Sequence, residues 1–127
     1  MSIKFLSEEW AVEVTKAINS NEAFQQAAGS QAARIQNVVT TPEGEKKYFF
    51  TLEGGQAQLT MGEMEAPDAT ISQDYDTAVA LSKSELSGTA AFMSGKVRVS
   101  GDLMKLMQMQ GVFSTLPQAI SGVDVEY

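Results

Sequence analysis

The stretch Ala90-Ala91-Phe92-Met93-Ser94-Gly95-Lys96-Val97-Arg98-Val99-Ser100-Gly101-Asp102-Leu103-Met104 holds most of what this chain reveals about its architecture. Thr89 to Met93 can form one or two helical turns, and Gly95 stops them. Lys96 to Ser100 then alternates polar and apolar residues with the period of a half-buried strand. Gly101 turns the chain, Asp102 is a good N-cap, and the spacing predicts a helix through Gln110, ended by Gly111. Helix, strand and helix thus follow one another within a few residues.

Working upstream, Pro67 opens another strand, with Ala69 and Ile71 on one face and Thr70 and Ser72 on the other. Residues 73–83 return to the helical period, with Asp74 and Asp76 at the start and Tyr75, Ala78 and Val79 as the apolar stripe. Ser87-Gly88 interrupts that helical region. Before it come three strands: Ala33, Ile35 and Val39; then Tyr48, Phe50 and Leu52; then Ala57, Leu59 and Met61. Pro42-Glu43-Gly44 and Gly54-Gly55 are the turns between them. Asn37 falls on the apolar face of the first strand, a local inconsistency. Ser7 caps a helix over 7–19 that presents Trp10, Val14, Ala17 and Ile18, and Asn21 caps a shorter helix through Ala28, stopped by Gly29. Downstream, 112–120 is apolar but contains Pro117, so at most a short helix fits with Pro117 in its first turn. Residues 121–127 read as a frayed tail.

Two helices, an antiparallel three-strand meander, a fourth strand, helices and a fifth strand make an α+β domain. The expected architecture is a five-stranded, mostly antiparallel sheet with helices covering one face. The roughly 24 residues between strands four and five suffice for a helical crossover. A length of 127 residues predicts one domain spanning 1–127.

Composition narrows the chemistry. There is no histidine and no cysteine, which removes Ser-His-Asp and Cys-His catalysis and zinc sites with nitrogen or sulfur ligands. Carboxylate acid–base chemistry remains open. The net charge of −7 disfavours nucleic acid and anionic membrane surfaces as partners. The apolar runs are too short for membrane insertion. The N-terminus, Met1-Ser2-Ile3-Lys4-Phe5-Leu6 followed by Ser7-Glu8-Glu9, is too short and acidic for a signal peptide. Val125-Glu126-Tyr127 is no peroxisomal address. A cytoplasmic location is the expectation.

The quoted stretch resembles the Phe-Met-Ser-Gly-Lys-strand-Gly-Asp-Met signature of the sterol carrier protein 2 (SCP-2) family. Gln110 falls where that family often has a glutamine. Pro67-Asp68-Ala69-Thr70-Ile71-Ser72, Asp74-Tyr75 and Val79-Ala80-Leu81 are similar to its strand-then-helix segment, and the hairpins from Glu43 to Met61 fit its sheet. The resemblance spans most of 30–110; after Gln110 the run Val112-Phe113-Ser114-Thr115-Leu116-Pro117 departs from it. It implies an SCP-2-like fold with a hydrophobic tunnel between sheet and helices. That tunnel would take a fatty acid, fatty acyl-CoA or sterol-like ligand, with no cofactor.

Residues 102–110 are the natural tunnel wall. Leu103, Met104, Leu106 and Met107 cover one broad helical face, with Lys105 and Gln108 pointing away. Four of the seven methionines lie between 93 and 109, and methionine adapts to exchangeable partners. The expected ligand-binding residues are Leu59, Phe92, Val97, Leu103, Leu106, Met107 and Leu116, with Gln110 at the polar end. An ordinary Met-rich core helix, with Gln110 capping a backbone group, fits the same periodicity. Lys46, Lys47, Lys96 and Arg98 read as a small basic patch or as solvated strand faces. Asp74, Asp76 and Asp102 sit at helix starts, where capping accounts for them, and Asp68 opens a strand, so no catalytic residue is assigned. Phe49 points to the wet face, under the C-terminal tail or in a contact patch such as a homodimer would use, and an enzyme partner is a further possibility for the chain.

Reversible, non-catalytic lipid binding or transfer is the leading expectation. Two rivals stand beside it: an accessory interaction subunit of a lipid or quinone biosynthesis complex, and a small acyl-CoA thioesterase using a carboxylate.

Overall fold

A computed structural model describes residues 3–83, 85–86 and 88–127 of the chain. Its elements are β1 (Ile3–Lys4), α1 (Glu8–Asn19), α2 (Glu22–Ala28), β2 (Ala33–Thr41), β3 (Gly44–Glu53), β4 (Gln56–Met61), β5 (Ala69–Asp74), α3 (Tyr75–Ser82), α4 (Gly88–Met93), β6 (Val97–Gly101), α5 (Leu103–Gln108), α6 (Gln110–Phe113), α7 (Leu116–Ala119) and β7 (Val125–Glu126). Met1 and Ser2, which open the N-terminal stretch considered above, lie outside the described residues, as does Ser87 of the expected interruption. Gly88 itself begins α4.

The helix starts follow the capping residues. Ser7 Oγ accepts the Trp10 N–H (3.1 Å), Asn21 Oδ1 that of Phe24 (2.9 Å), Asp74 Oδ1 that of Thr77 (2.8 Å) and Asp102 Oδ1 that of Lys105 (3.0 Å). Each bond satisfies a donor the first turn would leave orphaned. On α1, Trp10, Ala11, Val14 and Ile18 are buried, a stripe at helical spacing that faces the sheet.

The five-stranded sheet has the order β4-β3-β2-β5-β6. All neighbouring pairs are antiparallel except β2 and β5, which run parallel. The crossover is therefore between the first and fourth strands of this sheet, while β5 and β6 pair antiparallel. β4 is an edge strand, and α1 lies along it. The Asn19 side chain donates to Ala57 O and accepts from Ala57 N, both at 2.8 Å, and Thr15 Oγ1 accepts the Leu59 N–H at 2.9 Å. These bonds satisfy edge groups that could otherwise recruit another strand.

At the opposite edge, Gly101 sits at φ +96°, and a Cβ there would lie 2.8 Å from Asp68 O and 3.0 Å from Ala69 Cα. Only glycine permits so close an approach of two backbones. Asp68 clips this corner: its carboxylate accepts the Arg34 N–H (2.9 Å) and its carbonyl accepts the Asp102 N–H (2.8 Å).

The tail is ordered, contrary to expectation. Val125 and Glu126 pair in parallel with Ile3 and Lys4. Phe5 stacks against Trp10 (5.2 Å), Tyr75 (5.8 Å) and Tyr127 (4.9 Å), and Trp10 meets Tyr48 edge-on at 5.1 Å. Tyr127 brings the aromatic surface that holds the terminus, a contact at a sequence distance no local pattern reports.

Candidate functional site

The register arranges the concave, helix-facing side of the sheet in rows. Leu59, Phe50, Ile35, Ala69 and Gly101 form one; Met61, Tyr48, Asn37, Ile71 and Val99 the next; Lys46, Val39, Gln73 and Val97 the last. Over this face lie α3 against β2 and β5, α4 against β6 and α5 against β5, with α6 on α2 and α7 on α1. Leu59, Leu106, Met109 and Val112 belong to one apolar cluster, with Phe113 and Leu116 packed against it. Phe113 meets Phe50 at 6.1 Å.

Of the eight expected ligand-binding residues, Leu59, Val97 and Leu106 are buried and Leu116 is partly buried. Phe92, Leu103, Met107 and Gln110 face outward instead. The cause is a break in the helix expected over 102–110. α5 ends at Gln108, Met109 (φ −89°, ψ 1°) belongs to no helix, and α6 restarts at Gln110. The buried positions become Leu106, Met109 and Val112, spaced by three as in a tightened turn. A straight 3.6-residue helix would have buried Gln110 and exposed Met109; the structure does the reverse. Gly111, expected to end the helix, lies inside α6.

This leaves α5 apolar on both sides. Leu106 is 8% exposed on the inner side, while Leu103, Met104 and Met107 are 42%, 64% and 58% exposed on the outer. Phe92 and Met93 of α4 are also uncovered. A solvated helix face normally carries charge.

Beneath α5–α7, Met109 and Val112 are fully buried. Two open clefts lie elsewhere. One, of about 210 Å³, is lined by Asp74, Asp76, Thr77, Ala80, Leu86 and Lys96. The other, of about 830 Å³, lies between α1, the strand ends at Ala33, Leu52 and Ala57, and Lys105, with Arg34, Glu53 and Asp68 on its rim. Neither is lined by any of the eight expected residues.

The titratable groups point to structure rather than chemistry. The Thr77 hydroxyl and N–H hold the Asp74 carboxyl below its usual range, and Lys96 adds a smaller pull in the same direction. Lys47 and Glu63 form an exposed ion pair that raises the lysine and lowers the glutamate. Burial pushes the Tyr48 hydroxyl up to about 12. Among the described residues no cluster of three or more acidic side chains could hold a metal, and no helix is long and apolar enough to cross a membrane.

Residues 13–114 match the SCP-2 sterol transfer family. This chain belongs to that family. The SCP-2 chain is 32% identical over 81 residues to mouse stomatin-like protein 1, a match covering 63% of this chain and 20% of that relative, so it spans about a fifth of the relative's length. Its fold is that of a sterol carrier protein 2 crystal structure: TM-score 0.76, 22% identity, 94% of this chain and 98% of the other covered. A palmitated SCP2L2 from Aedes aegypti in solution is also similar: TM-score 0.66, 20% identity, with 89% and 95% covered.

Proposed function

We propose that this SCP-2 chain, with residues 1–127 acting as one unit, reversibly takes up a long-chain hydrophobic lipid between the concave sheet face and α5–α7, without catalysing a reaction. The carrying observation is α5, whose outer apolar side chains Leu103, Met104 and Met107 have no partner in proportion to their size. A ligand that lifts α5–α7 from the sheet and turns α5 so that these side chains face inward supplies one. Leu59, Val97, Leu106 and Leu116 then form the inner wall, and Phe92, Leu103, Met107 and Gln110 the lip.

The lifting segment is weakly tied. α6 and α7 have four residues each and no side-chain cap, and α5 has six. Helices this short have little stability of their own. What holds them is apolar contact, which an alkyl chain can replace. Each methylene taken out of water contributes roughly 0.8 kcal/mol, so a chain of about a dozen carbons can offset the displaced contacts of Met109 and Val112. The palmitated structural relative supports an acyl chain as ligand. Against catalysis stand the occupations of the carboxylates: Asp74 and Asp102 cap helices and Asp68 clips two strands.

Titrating the protein with a fluorescent fatty acid, then displacing it with palmitate, tests the reading. Saturable, one-site displacement is expected. Binding that never saturates, or none, contradicts it.

A further inference from the structure

Three polar side chains interrupt the apolar rows of the concave face: Tyr48, Asn37 and Gln73. Among the described residues, Gln73 alone carries a fully buried side-chain oxygen or nitrogen left without a partner. It is 8% exposed, and its Oε1 is buried with no hydrogen-bond partner among the described residues. Its neighbours across the register are Val39, which is fully buried, and Val97. The contrast with Gln36, also buried, is direct. Gln36 Nε2 donates to the carbonyls of Tyr48 (3.0 Å) and Gly62 (3.1 Å), and its Oε1 accepts the Met64 N–H (2.8 Å). The fold satisfies the glutamine on the convex side and leaves the one on the ligand-facing side wanting. An orphaned acceptor in apolar surroundings costs free energy that methionine or leucine at the same place would avoid.

Resting on the lipid-binding reading above, we infer that Gln73 receives the polar end of the ligand, and that this end is a neutral hydroxyl, as in a long-chain alcohol or a sterol-type lipid. From Gln73 the floor continues along β5 through Ile71 to Ala69, beneath α5, a path of about 13 Å for the apolar body. A hydroxyl both donates and accepts, so it satisfies the amide in either of its two flipped orientations. A carboxylate only accepts. It would also carry a charge between two valines, where the one cation in the row, Lys46, is exposed and two strands away, so a fatty acid shares the apolar path with its carboxylate left at the lip.

The test compares 1-dodecanol with 1-methoxydodecane, which has nearly the same shape but donates no hydrogen bond, as displacers of a fluorescent fatty acid. The unaltered protein should prefer the alcohol by about tenfold. In Gln73→Met that preference should vanish, with affinity for the ether unchanged or higher. The ligand-free variant should also unfold at a higher temperature, since the orphaned oxygen is gone. Equal affinities in the unaltered protein, or a preference that survives in Gln73→Met, overturns the assignment while leaving lipid binding intact. A lowered unfolding temperature overturns it too, because the amide would then be satisfied within the fold. Failure of both compounds and of the fluorescent probe to bind saturably removes the carrier reading itself, and the Gln73 inference with it.

Discussion

Around Trp10 gather five aromatic rings, Phe5 just after β1, Trp10 of α1, Tyr48 of β3, Tyr75 of α3 and the C-terminal Tyr127, with three of their four contacts edge to face, and backbone pairing between Ile3–Lys4 and Val125–Glu126 closes the ends. Around Met109 lie three short helices, α5 against β5, α6 against α2 and α7 against α1, two of them without side-chain caps, and their apolar residues are divided between core and solvent. Aromatic contacts have preferred angles and lose much when disturbed. Methionine and leucine contacts have no such preference and can be exchanged. The molecule thus combines a frame that resists rearrangement with a cover that tolerates it, and the proposed ligand entry lies at the cover.

Trp10→Ala should break the frame. Removing a large side chain that is 3% exposed should cost about 3–5 kcal/mol in a denaturant titration. A cost as small as a surface substitution would erase the distinction between the two regions. Asn19→Ala comes next. It strands both backbone groups of Ala57 on the edge strand, and about 1–3 kcal/mol of stability should be lost. The variant should also associate more readily, which sedimentation velocity would detect. On the cover, Met104→Ser with Met107→Ser should shift stability by no more than about 0.5 kcal/mol, because both side chains are solvated without ligand. Fatty acid affinity should nonetheless fall about tenfold. A pair that destabilises the free protein strongly would place these methionines in the frame. The smallest effect is at high pH. With the Tyr48 hydroxyl raised from 10.0 to about 12, the folded state holds that proton more tightly than the unfolded one. Its contribution is full below pH 10 and is lost as pH rises through about 12. Phenolate absorbance should show one tyrosine ionising there, together with unfolding; early ionisation would put the Tyr48 hydroxyl in water.

The frame was largely legible in the sequence because its signals are local. Ser7, Asn21, Asp74 and Asp102 each cap the helix their position announces, and period-two alternation names the concave residues of β2 to β6. Gly101 announces a turn in the sequence; its closeness to Asp68 needs the assembled sheet. The cover was less legible. A break at Met109 depends on how α6 docks on α2, and one residue of slippage exchanges Met109 and Gln110 between core and surface. Gln73 was obscured: the helical period expected over 73–83 takes it out of the strand, whereas β5 runs on to Asp74 and puts Gln73 on the apolar face with Ala69 and Ile71. Its missing partner is a property of the packed neighbours Val39 and Val97, which adjoin it only through pairing across the sheet.

Amide hydrogen exchange over residues 103–120, with and without saturating fatty acid, reaches the central point most directly. Without ligand these amides should exchange far faster than those of β2 and β3, and ligand should slow them while leaving the sheet unchanged. Exchange as slow as the sheet's in the free protein, or ligand protection confined to other elements, would contradict a cover that opens to admit a lipid.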